Sequence, residues 1–152
     1  RIRMEGGAYG AFAVNRATDR AFLFGSYRDP HVTRTLGVYR SALEELAGRE
    51  PEDRELELAL IGLLGKELRP MVPREEGMVS FRRALLGVTD DLRQSVRDRL
   101  REVSPLDVRN AAERLLAGYE VASVVALGGS AALDQASAQM PELKQNRLEL
   151  HL

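Results

Sequence analysis

Cysteine is absent from this 152-residue chain. That excludes disulfides, thiolate-ligated zinc and thiol catalysis, and it permits a reducing compartment. Long apolar runs are absent too: no stretch approaches the about 20 residues of a membrane-spanning helix, and none resembles a secretory signal. Histidine is scarce, with His31 and His151 alone. They form no paired motif of the kind that zinc peptidases carry, and a hydrolytic zinc site needs three converging ligands and an open position. His31 reads instead as a helix-start residue. A charge excess of either sign is also lacking. The net charge of −1 creates no long-range attraction to nucleic acid or acidic membrane. Lysine is confined to Lys66 and Lys144, and the remaining basic residues are arginine.

What is present is ordinary for a globular chain. Apolar residues make up 44% and charged residues 30%, a composition that argues against disorder. The length suits one domain over 1–152 with a core of useful size. The sequence begins at Arg1 rather than Met, which predicts a piece of a longer polypeptide.

Residues 8–14 (AYGAFAV) and 20–27 (RAFLFGSY), separated by NRATD, predict a β-hairpin. Phe12 and Val14 share parity, as do Phe22 and Phe24, so one face of the pair is expected to be core. Asp29-Pro30 predicts a helix start with Asp as N-cap, and Val32, Leu36, Tyr39, Leu43 and Leu46 form its apolar stripe up to Gly48. Pro51, Glu52 and Asp53 open a second helix, lined by Leu56, Leu60, Leu63 and Leu64 and stopped by Pro70. MVPREEG (71–77) reads as a loop before a short helix at 78–86. Thr89 caps the next helix, with Leu92, Val96, Leu100 and Val103 as its buried stripe. Ser104-Pro105-Leu106-Asp107 reads as a capping box for a helix running to Gly118. Residues 119–127 (YEVASVVAL) read as a strand buried on both faces. A last helix follows, N-capped by Ser130, and LELHL closes the chain. The hairpin alone is marginal in water, so its sheet needs more strands than two.

Candidate chemistry is sparse. Gly128-Gly129-Ser130 invites a nucleotide or anion at a helix N-terminus, but the P-loop lysine and glycine spacing are missing. Arg93, Arg97, Arg99 and Arg101 alternate with Asp90, Asp91, Asp98 and Glu102, a pattern that helix-stabilising pairs explain without nucleic acid. The opening stretch, RIRMEGGAYG, leaves two readings open. Gly6-Gly7 is either a plain loop before a strand or a clearance for an extended ligand. In the second case Tyr9 offers a phenolic donor and Arg3 a rigid fork of donors for carbonyl oxygens.

Several blocks carry a resemblance over nearly the whole chain. R-x-E-G-G-A-Y-G, SYRDP (26–30), the Pro70/Pro73 and EEG (75–77) loop, SFRRALLGVTDDLRQSVRDRLREVSPLDVRNAAERLL and VASVVALGG resemble the C-terminal part of presequence-protease-like peptidases. These are a branch of the pitrilysin-type, inverted-zincin metallopeptidases. The resemblance implies an α+β two-layer sandwich of the pitrilysin-type (LuxS/MPP-like) fold, with helices on one face of a mostly antiparallel sheet, incomplete at its N-terminus. It implies a partial C-terminal domain that closes a peptide chamber. The zinc motif and general-base Glu belong to the N-terminal half, so this piece binds no zinc and is not catalytic alone.

By motif position the resemblance gives the substrate backbone to Arg3, with Gly6 and Gly7 clearing space. It gives the oxyanion of the tetrahedral intermediate to Tyr9. Arg1, two residues away, competes for the arginine role. The implied partners are a short unstructured peptide and the N-terminal half of the same protein, with no nucleic acid or membrane, in a bacterial cytoplasm. The alternatives are a non-catalytic, structural or chaperone-like relative and a small anion-binding domain built on GGS.

Overall fold

The structure is a computed structural model that describes residues 1–144, 147 and 148. His151 and the LELHL tail, apart from Leu148, lie outside the described residues. The chain is α+β, with a two-stranded antiparallel sheet and six helices among the described residues. It divides into two compact units, Arg1–Gly48 with Ala112–Leu152, and Arg49–Ala111.

In the first unit, β1 (Gly10–Arg16) pairs with β2 (Ala21–Tyr27) around the short 3-10 turn Ala17–Asp19. Arg20 takes a left-handed backbone (φ 51°) to close that turn. The register corrects the expected core face. Ala13 pairs with Phe24 and Asn15 with Phe22, so each odd residue of β1 faces an even residue of β2. Phe12 and Val14 therefore lie on the opposite face from Phe22 and Phe24. Phe24 stacks on Tyr39 (centroids 5.0 Å apart) and Phe22 meets Phe24 edge-on; only Phe24 of these strand aromatics is half-buried, and Phe22 remains exposed like Phe12, Val14, Leu23 and Tyr27 on the other face. Parity within one strand is visible in sequence. The pairing between strands is set by the turn.

Helix α1 (Val32–Gly48) buries Thr35, Tyr39 and Leu43, spaced at four residues so that one stripe faces inward. It starts two residues later than Asp29-Pro30 suggests. Asp29 acts from outside the helix: its Oδ1 accepts the His31 N–H (2.9 Å) and its Oδ2 accepts the Thr35 hydroxyl (2.7 Å). The Tyr119 hydroxyl donates to the Leu36 carbonyl (2.7 Å), which ties the end of α5 (Pro105–Tyr119) to α1. The Thr33 hydroxyl donates to Gln139 of α6 (Ser130–Gln139). In α6 the N-cap is Gly129, and Ser130 is the first helical residue and makes no cap.

Residues 119–127 are not a strand. After Val121 and Ala122 donate to the Gly118 and Tyr119 carbonyls, the segment runs without regular structure, and Val121 and Val125 stand 85% and 94% exposed. A cavity of about 620 Å³, lined by β2, α1 and residues 122–127, opens beside them. A strand exists only where a neighbour accepts its N–H and C=O groups. β-propensity without a partner at ladder distance forms none.

The second unit comprises α2 (Asp53–Glu67), α3 (Pro73–Leu85), α4 (Asp90–Arg101) and the start of α5. Glu52 and Glu55 form a capping box for α2. Helix α3 begins at Pro73, so most of the expected loop at 71–77 is helical. Pro at the first position and Glu75 and Glu76 in the first turn favour that start. Thr89 caps α4 by accepting the Leu92 N–H (3.1 Å), and Ser104 and Asp107 cap each other as expected.

The buried stripe expected on α4 is not observed, because Leu92 and Val96 are about half exposed, at 50% and 49%. The neighbouring stripe is engaged instead. Arg93 and Arg97, one turn apart, approach Glu67 at 2.8 and 3.7 Å, joined by Arg83 at 3.8 Å. The inward side of α4 is an ion cluster where apolar packing was expected.

Candidate functional site

The opening residues wind into a tight turn. Glu5 and Gly6 N–H groups donate to the Arg1 carbonyl (3.2 and 2.8 Å), Gly7 N–H to Arg3 (3.2 Å) and Ala8 N–H to Ile2 (3.2 Å). Both glycines are required by this geometry. A Cβ on Gly6 would meet the Ile2 carbonyl oxygen at 2.5 Å. Gly7 has φ +74°, in the left-handed region that closes a helical turn with a single N–H to the carbonyl four residues back. The plain-loop reading of the glycines thus has a stereochemical basis.

The turn delivers Ala8, 4% exposed, into the unit, and Tyr9 follows it onto the surface, 63% exposed. Tyr9 N–H donates to the Arg28 carbonyl (3.3 Å). Its ring lies 5.2 Å from that of Tyr27, tilted by 53°, and the Arg28 guanidinium carbon sits 5.5 Å from its centroid. The hydroxyl makes no hydrogen bond among the described residues, so it is available to a ligand.

Among the two candidate arginines, Arg1 is engaged: its guanidinium donates to Glu45 (2.9 Å). Arg3 is exposed and makes no ion pair among the described residues. The backbone brings Arg3 and Gly7 together, whereas no side-chain hydrogen bond joins Arg3 to Tyr9. Arg28 and Tyr27 were missed by sequence reasoning, although SYRDP was conspicuous. The only local signal was a long cation next to an aromatic at a strand end.

Other groups with displaced acidity serve the scaffold. Burial pushes the Tyr39 and Tyr119 phenols up. Burial also pushes the Asp29 carboxyl up, but hydrogen bonds from Thr35, His31 and Ser26 outweigh it and hold the group below its ordinary value. At metal-binding chemistry the described residues fail: no three of His, Asp or Glu converge to hold an ion. No described helix is long and apolar enough to cross a membrane.

These features define an α+β unit that presents a free phenol and unpaired guanidinium groups, a donor set for oxygen atoms without a self-contained catalytic centre. Residues 1–127 match the PreP C-terminal domain family. The chain is 39% identical over 115 residues to the mitochondrial presequence protease of Gibberella zeae, covering 76% of this chain and 11% of that protein. It is 32% identical over 137 residues to presequence protease 1, chloroplastic/mitochondrial, of Arabidopsis thaliana, covering 90% and 13%. A 37% identity over 116 residues relates it to an uncharacterized protein of Borreliella burgdorferi, covering 76% and 12%. The chain spans 11–13% of the length of these relatives. It belongs to the PreP C-terminal domain family.

Proposed function

We propose that residues 1–152 are a partial C-terminal domain of a zinc-dependent endopeptidase that degrades short unstructured peptides. On this reading the unit belongs to a two-layer sandwich of the pitrilysin type and closes a chamber formed with the N-terminal half of the same protein, which carries the zinc ligands and the general base. A bacterial cytoplasmic setting is part of the same proposal; the Borreliella relative supports the bacterial part of it alone.

Within the chamber, Arg3 holds a carbonyl of the substrate backbone and Tyr9 donates its O–H to the oxyanion that forms at the scissile carbon. One observation carries this: Tyr9 is an exposed phenol with an unbonded hydroxyl, held by its backbone and ring while its polar end stays free. Arg3 supports the same assignment, because Arg1 is occupied by Glu45 and Arg3 makes no ion pair among the described residues. A donor aimed at developing charge lowers the barrier by about 3 kcal/mol, as loss of one oxyanion-hole group shows. Gly7, exposed and with only Pro30 Cγ near the place of a side chain, keeps the surface beside these groups clear for an extended backbone, whereas Gly6, buried against the Ile2 carbonyl, serves the turn.

The test is Tyr9→Phe in the full-length polypeptide that carries this chain, assayed on an unstructured peptide. A fall in kcat of about a hundredfold with KM nearly unchanged is expected. An unaltered kcat overturns the assignment.

A further inference from the structure

This inference rests on the reading of Tyr9 as the oxyanion donor. We propose that Arg28 is a positioning residue for that reaction, holding the Tyr9 ring in place and polarising its hydroxyl through the face of the ring.

Three observations meet at Arg28. Its backbone is left-handed, with φ 48°, a conformation penalised for any residue with a Cβ. The other non-glycine residue in that region, Arg20, closes the β1–β2 turn, whereas Arg28 lies beyond the end of β2, where no hairpin demands it. The left-handed kink has two visible consequences. It presents the Arg28 carbonyl to the Tyr9 N–H at 3.3 Å, and the guanidinium lies 5.5 Å from the centroid of the Tyr9 ring.

The cation is also not neutralised where neutralisation would be easiest. Asp29 is the next residue, yet its two oxygens accept the His31 N–H and the Thr35 hydroxyl. Arg28 makes no ion pair among the described residues, and its partner is the ring. A cation on an aromatic face is attracted to the ring quadrupole. By drawing electron density from the ring it makes the phenol O–H a better donor. Tyr27 touches the ring as well, at 5.2 Å, so successive residues limit its motion while the hydroxyl stays free. The group acts on the reaction only through Tyr9.

The full-length polypeptide carrying this chain provides the test, with kcat and KM measured on an unstructured fluorogenic peptide. Arg28→Gly removes the guanidinium and keeps the left-handed backbone, since glycine adopts it freely. Arg28→Asn does the same with a short polar side chain and serves if the glycine variant folds poorly. Loss of the cation is expected to lower kcat about two- to fivefold, the range of an exposed cation–ring contact, with KM unchanged and with no fall in thermal midpoint, since glycine relieves the left-handed strain as the ring contact is lost. Arg28→Lys is expected to recover most of the loss. In a Tyr9→Phe background, Arg28→Gly is expected to cause no further fall in kcat.

An unchanged kcat in Arg28→Gly, or the same proportional loss with Phe at position 9, overturns the role of Arg28 while leaving Tyr9 intact. A Tyr9→Phe variant with wild-type kcat overturns both assignments, and the two failures are therefore distinct.

Discussion

Gly6 and Gly7 separate a turn-forming role from a ligand-clearing role by the size and place of the damage each substitution does. Alanine at position 6 puts a methyl group 2.5 Å from the Ile2 carbonyl oxygen and 3.2 Å from its carbon. These are backbone atoms, so no side-chain rotation relieves the clash. The turn has to open, which weakens the Gly6-to-Arg1 and Ala8-to-Ile2 hydrogen bonds, each worth about 1 kcal/mol net. Forced overpacking costs about 1–3 kcal/mol, so a loss of about 2–3 kcal/mol is expected for Gly6→Ala. Alanine at position 7 has room, since only Pro30 Cγ comes within 4 Å, at 3.9 Å. Its penalty is the left-handed backbone alone, about 1–2 kcal/mol, and Gly7→Asn should lose less, because asparagine tolerates that region.

All four tyrosines (Tyr9, Tyr27, Tyr39 and Tyr119) fall in the unit that contains the turn, and there is no tryptophan. Intrinsic tyrosine fluorescence in a urea titration therefore reports that unit alone. Gly6→Ala should shift its midpoint more than Gly7→Ala. A Gly6→Ala midpoint within about 0.5 kcal/mol of wild type, the usual scatter of surface substitutions, refutes the steric argument. If stability is untouched and only the peptide KM of the full-length polypeptide rises, the glycines serve the ligand and not the turn.

Two pH effects follow from the carboxylates. Asp29 has a folded pKa below its ordinary value, so its contribution is complete above the unfolded carboxylate pKa of about 3.9. It is lost as pH falls through the folded value. Tyrosine-monitored urea titrations between pH 2 and 6 should show an acid loss that Asp29→Asn diminishes; an identical acid slope in the variant refutes this. Glu55 accepts two hydrogen bonds from Arg49 and one from the Glu52 N–H, which lower its pKa to about 2. Its carboxyl resonance should titrate near that value by NMR, and Arg49→Gln should move it up toward its ordinary value of 4.5.

What was legible in the sequence was local. Thr89, the Ser104/Asp107 box and the helix starting after Pro51 were readable because a cap involves residues three or four positions apart. Tyr39 and Leu43 were readable as core by their helical spacing. The two faces of the hairpin were not, since the turn sets the pairing that decides which parities share a face. Residues 119–127 have strand composition, and nothing in composition records whether a partner lies at ladder distance. In α4, apolar periodicity was a poor guide because Arg93 and Arg97, on a different stripe, meet Glu67 together with Arg83 of α3. At the candidate site, Arg3, Gly6, Gly7 and Tyr9 were named from motif resemblance, while Arg28 was not, because its place over the ring depends on a left-handed backbone that no residue type announces.

Among the described residues no strand covers the outer flank of β2, and this affects the chain in solution. A hairpin of two strands leaves an outer row of N–H and C=O groups, and the apolar residues 121–127 lie nearby without a ladder of their own. Such an edge templates any extended segment that reaches it, including the same segment of another copy. Self-association of the isolated chain is therefore expected to rise with protein concentration, and dilution is the condition under which its monomer properties are read.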